Sequence, residues 1–278
     1  MPLALALALI AAPDPALRDR IGRAVALLSY VAGDYAVAVG PSGEVLSPDE
    51  LAEQLGFVRE AAQEVRTSGG PDLAAELEAL AKRIESRGPP PEVSADAERI
   101  GARIAQRFQL AVLPPRAPDL RRGGALYRQA CAACHGAGGR PPALQLSTRP
   151  PAFASKEEVR RLSPQRIFAA ATYGVPGTAM PSYAEALDEA SRWDLSFYAL
   201  TLAHAGRAEE ARGRELLRKA PRTPDYLQLA VRSDDQLRGA LSTSGLSPAD
   251  REAVISAVRA AIPASRPAPG ANPSVAKR

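Results

Sequence analysis

Twenty-six prolines are spread along a chain of 278 residues whose other residues favour helix. Alanine, leucine, arginine and glutamate dominate, and runs of β-branched residues are scarce. Proline lacks the amide hydrogen that a helix interior needs, yet it fits the first helical turn. A helical chain punctuated in this way folds into many short helices. The expected class is all-α. Domains usually run about 100–200 residues, so two or three compact units are expected.

The apolar face of Ile21, Val25, Leu28 and Val31 predicts a helix over 15–31. Gly40-Pro41-Ser42-Gly43 is a turn. Ser47-Pro48-Asp49-Glu50 reads as a capping box opening a helix to about residue 65. Gly69-Gly70-Pro71 breaks it, and a third helix covers about 72–86. Gly88-Pro89-Pro90-Pro91 ends that one, and a fourth covers about 94–112. Residues 13–113 thus read as an up-and-down helical bundle domain. Pro114-Pro115-Arg116-Ala117-Pro118 forms a stiff linker. A segment of different chemistry spans 119–206, and a helical C-terminal region spans 207–262. In the latter, helices are expected over 209–220, from Ser233-Asp234-Asp235 to 241, and from Ser247-Pro248-Ala249-Asp250 to about 261. The tail, 263–278, is rich in proline, alanine and serine and reads as disordered.

Residues 1–12 carry an alternating Leu/Ala run with small residues before Pro13, the pattern of a secretory signal. The run is shorter than the roughly 20 residues of a bilayer span, and the usual basic residues before it are missing. No other segment reads as membrane-spanning. The net charge of +4 is mild, and basic and acidic residues are interleaved without a Lys/Arg tract. That pattern argues against nucleic acid as a partner.

The two cysteines both lie in Cys131-Ala132-Ala133-Cys134-His135, so no disulfide framework exists. This is the haem c attachment signature. Two thiols add across the haem vinyl groups, and the adjacent histidine faces the iron. A thioredoxin-like pair lacks βαβ surroundings and leaves the histidine unexplained. A zinc site needs more Cys or His than the chain has. The cofactor read from the sequence is one covalently bound haem c, held by Cys131, Cys134 and His135.

Apart from Met1, Met180 is the one methionine, set in Tyr173-Gly174-Val175-Pro176-Gly177-Thr178-Ala179-Met180-Pro181. A soft thioether on so constrained a loop suits the sixth iron position. His204, the other histidine, is read as a cap on the end of the preceding helix rather than a ligand.

Further residues carry a resemblance. Gly123 and Tyr127 precede Cys131, and Asp194-Leu195-Ser196-Phe197-Tyr198-Ala199-Leu200 follows later. With the attachment motif, these make 119–206 resemble a class I cytochrome c. The resemblance implies that the first and last helices cross, glycine against aromatic. It also implies that a proline carbonyl orients His135, with Pro142, Pro150 and Pro151 as candidates. Trp193 is read as core packing, with haem-edge packing as the alternative. Ser163-Pro164 is expected to cap a helix whose Ile167, Phe168 and Tyr173 wall the haem.

Tyr30-Val31-Ala32-Gly33-Asp34-Tyr35 and Arg232-Ser233-Asp234-Asp235-Gln236-Leu237 carry a second resemblance. With the helical domain and the linker, they resemble the extracytoplasmic front end of bacterial iron permeases fused to a cytochrome c. That likeness implies an iron permease as partner, although the permease's membrane helices and Arg-Glu-x-x-Glu motifs are missing here. A stand-alone partner, a split version and a fragment are the alternatives.

The leading expectation is a periplasmic electron carrier with a His135/Met180 haem, serving redox partner proteins and touching the membrane only through a partner. The alternatives are a haem-dependent ferroxidase or other oxidoreductase enzyme, and a redox or gas sensor. A ferroxidase needs a carboxylate cluster. The pairs Glu157-Glu158 and Asp188-Glu189 read instead as helix-start residues.

Overall fold

The computed structural model describes residues 15–108, 110, 113–146, 148–175, 177–220 and 223–261. The expected signal at 1–12 and the tail at 263–278 lie outside the described residues. Among the described residues the chain is all-α, with thirteen α-helices and one 3-10 turn, and its only β pairing is an isolated Val39–Val45 bridge. The chain divides between residues 111 and 112 into two compact units.

The first unit holds α1 (Pro15–Ala38), α2 (Pro48–Thr67), α3 (Pro71–Glu85) and α4 (Pro90–Arg107). α1 packs on α2 and α4, and α3 packs on the same two, which closes a four-helix bundle. Each helix opens on a proline because its missing N–H is one that a first turn leaves unpaired anyway. α1 runs past its expected end at 31, because Tyr35 and Ala38 continue its buried face. The Tyr30–Tyr35 stretch is therefore helix, and Tyr30 meets Phe57 of α2 at 6.1 Å. The turn falls where expected, with Gly43 at φ +81° and its N–H bonded to the Gly40 carbonyl at 3.0 Å. α4 begins before its expected start at 94, because Pro90 and Pro91 sit within its first turn; it ends at Arg107, with Phe108 as its C-cap.

The second unit holds α5 (Leu120–Ala130), α6 (Ala132–His135), α7 (Lys156–Val159), α8 (Pro164–Tyr173) and α9 (Glu189–Thr201). A 3-10 turn, Leu202–His204, leads into α10 (Arg207–Lys219), α11 (Tyr226–Ala230), α12 (Asp234–Ala240) and α13 (Pro248–Ala260). Side chains of Asp119, Ser155, Ser163, Asp188, Ser233 and Ser247 cap α5, α7, α8, α9, α12 and α13. α5 crosses α9 so closely that a Cβ on Gly123 would lie 2.1 Å from the Asp194 carbonyl oxygen. Glycine at 123 is what permits the crossing.

Asp194, fully buried, ties the linker to this crossing. Its carboxylate accepts from both Arg116 terminal nitrogens, at 3.0 and 2.7 Å, and from the Asp119 N–H at 2.8 Å.

Two apolar clusters lie in the core of the second unit. One joins Tyr127, Cys131, Phe153, Val159, Ile167 and Leu200. The other joins Trp193 and Phe197 of α9 to Leu229, Leu237, Ile255 and Val258. Residues 207–260 are therefore not a separate region. α9 is apolar on two sides, and its second apolar face is covered by the C-terminal helices together with Phe168 of α8 and Leu120. Trp193 lies in this core, stacked on Phe168 at 4.3 Å.

Candidate haem site

α5 ends at Cys131, and one short turn, α6, carries the chain through Cys134 to His135. Cys131 is buried and Cys134 is exposed. Burial, with Cys134 nearby, pushes the Cys131 thiol up to about 11, so it is protonated near neutral pH. Gly136 turns the chain away at φ +77°, where a Cβ would lie 1.9 Å from the Arg140 carbonyl oxygen. Tyr127 donates to the Gly136 carbonyl at 3.1 Å, which locks the turn onto α5.

His135 is buried with its ring 4.8 Å from Phe153. Its Nδ1 lies 3.2 Å from the Pro151 carbonyl oxygen. Of the three candidate prolines, Pro151 is the one that meets the ring. Burial lowers the histidine's pKa, against the raising effect of the Pro151 bond, so the ring is held neutral. Neutral imidazole is the form that binds a metal, and a proton on Nδ1 leaves the Nε2 lone pair for it.

The peptide that supplies this carbonyl is itself held. Ala152 N–H donates to Glu158 Oε2 at 2.7 Å, and Ser155 N–H donates to the Ala152 carbonyl at 2.9 Å. Glu158 is thus more than a helix-start residue. The Ser155-x-x-Glu158 spacing could have flagged a capping box, but the Glu158 carboxylate reaches the Ala152 N–H, which no local pattern names.

Met180 lies in a closed loop. Val175 N–H donates to its carbonyl at 3.1 Å, and its own N–H donates to Thr178 Oγ1 at 3.1 Å. Gly174 sits at φ +73°, where a Cβ would lie 2.9 Å from the Met180 carbonyl oxygen. Pro176 lies outside the described residues. Tyr183, which sequence reasoning did not single out, donates to the Ala130 carbonyl at 2.9 Å. That bond ties the methionine loop to the end of α5, beside Cys131. In α8, Ile167 joins the cluster around Cys131, whereas Phe168 turns to Trp193.

His204 does not cap a helix. It is buried, with Nδ1 2.9 Å from Ser256 Oγ and Nε2 2.7 Å from Asp234 Oδ2. Arg259 Nε donates to Asp234 Oδ1 at 2.9 Å. Both ring nitrogens are therefore engaged. The pair Asp188-Glu189 does start a helix: Asp188 caps α9. Among the described residues, no group of three or more His, Cys, Asp or Glu is set to hold a metal ion.

Two thiols and a neutral, oriented imidazole on a single turn fit a covalently held haem. Together with the glycine-mediated crossing of α5 and α9, they mark a cytochrome c-like domain. Residues 118–198 match the family model described as cytochrome C oxidase, cbb3-type, subunit III. No curated protein and no solved structure matches the chain. No helix among the described residues is long and apolar enough to cross a membrane.

Proposed function

We propose that the protein is a one-electron carrier working outside the cytoplasm, in the periplasm, with one haem c. On this reading Cys131 and Cys134 form the thioethers, His135 is the proximal ligand and Met180 the distal one. When bound, the haem supplies the one-electron couple. The chain's residues orient the ligands and hold them in both oxidation states. The Pro151 carbonyl fixes the ring of His135 and its proton. The hydrogen bonds of Val175 and Thr178 fix the Met180 backbone, and Tyr183 fastens that loop to α5. Rigid ligands reorganise little when charge changes, which is what a carrier needs. Redox partner proteins would exchange the electron, and the front-end likeness nominates an iron permease among them.

One observation carries the reading: a buried His135 bonded through Nδ1 to the Pro151 carbonyl, beside two thiols on one turn. The test is to produce the chain in a periplasm with its haem-attachment machinery and then extract it with acid solvent. The colour should stay with the polypeptide. The Met180→Ala variant should keep its haem, lose the thioether charge-transfer band and show a lower midpoint potential. Haem that extracts from the wild-type chain overturns the covalent attachment. An unmoved potential in the variant removes Met180 from the iron.

A further inference from the structure

The peptide unit joining Pro151 and Ala152 is gripped at both ends. Its carbonyl accepts from His135 Nδ1 at 3.2 Å, and its N–H donates to Glu158 Oε2 at 2.7 Å. We propose that Glu158 is a positioning residue for His135, acting through this peptide to make the imidazole a stronger electron donor. The inference rests on the reading of His135 as the iron's proximal ligand.

A hydrogen bond to an ionised acceptor is shorter and stronger than one between neutral groups. Bonds in series polarise one another. A carboxylate pulling on the Ala152 N–H therefore shifts electron density onto the Pro151 oxygen. That oxygen then draws harder on the Nδ1 proton, and Nε2 becomes more basic. A more basic ligand, with an anion behind it, favours the ferric state.

The surroundings hold the relay in place. Glu158 N–H donates to the Ser155 cap at 3.3 Å, and its carboxylate folds back over the 151–155 loop. Ala154 N–H donates to the Gly139 carbonyl at 2.9 Å, which pins the same loop to the chain after His135. Arg149 Nη1 reaches the Glu158 carboxylate at 3.2 Å, but its side chain is 64% exposed. Water screens such a pair, so the negative charge is only partly offset. Glu157, one residue away, pairs instead with Arg160 at 2.9 Å and is 79% exposed.

The experiment is redox titration of the purified holoprotein and three variants. Glu158→Gln keeps the shape and still accepts from Ala152 N–H, so it removes the charge alone. It should shift the one-electron equilibrium toward ferrous haem by up to about tenfold, or about 59 mV. Arg149→Gln frees the Glu158 charge and should shift the equilibrium the other way. Glu157→Gln removes an equal charge that does not bond the peptide, so its shift should be under a third of that in Glu158→Gln.

A Glu158→Gln potential equal to wild type, or a Glu157→Gln shift as large, overturns the proposal. Should Glu158→Gln fail to load haem, Arg149→Gln decides, and no downward shift there overturns it. Failure of the underlying reading looks different: the wild-type chain would then carry no covalent haem.

Discussion

Gly123 shows how much one missing methyl decides. A Cβ there would meet the Asp194 carbonyl oxygen at 2.1 Å and Tyr198 Cβ at 2.9 Å. Gly123→Ala should lower the unfolding free energy by about 1–3 kcal/mol, because α5 must lift off α9. Denaturant melting checks this, with Gly138→Ala as the control, since nothing lies within 4 Å of a Cβ there. The glycine, like Cys131, Cys134 and His135, was legible in the sequence because its partners in the motif are neighbours along the chain. The choice of Pro151 was not. Pro142, Pro150 and Pro151 offer the same carbonyl, and only the closure of the loop onto Gly139 selects one of them.

Helix starts were the most legible elements. Ser-Pro at 47–48, 163–164 and 247–248 each announces a cap and a first turn, and each opens a helix where expected. Ends and packing partners were less so, since they depend on contacts far along the chain. The buried group of His204, Asp234, Ser256 and Arg259 is the clearest case, because it joins residues 25 to 52 positions apart. Burial raises the Asp234 carboxyl's pKa, but bonds from His204 and the Arg259 charge outweigh it and hold the group below its ordinary value. A depressed folded-state pKa means stability that is fully present above the unfolded value of about 3.9 and lost as pH falls through the folded one. Asp234→Asn should therefore cost about 3–5 kcal/mol at neutral pH, since it strands a buried guanidinium. Thermal melts from pH 7 to pH 3 should show the variant losing less stability on acidification than the wild type.

On the scale of the whole molecule, the division falls between residues 111 and 112, and the cytochrome segment keeps its C-terminal helices. Arg160 Nη1 reaches Asp235 at 2.9 Å, and the Asp235 N–H donates to the Arg160 carbonyl at 2.9 Å, adding to the shared apolar cluster. A chain cut after Gly206 would expose Trp193 and Phe197, each worth about 1.5–3 kcal/mol of burial. It should melt well below a chain that runs to Ala261 and should bind a hydrophobic dye. This coupling was illegible because residues 207–260 are amphipathic in their own right, and nothing local names the surface they cover. Locking His204 into the seam has a chemical consequence as well. The chain has two imidazoles, and one of them is spoken for at both nitrogens. On the proposed ligation, an iron that lost its thioether would find no second free imidazole in the chain. Its sixth position would not close into a bis-histidine dead end, and cyanide or carbon monoxide would compete for it.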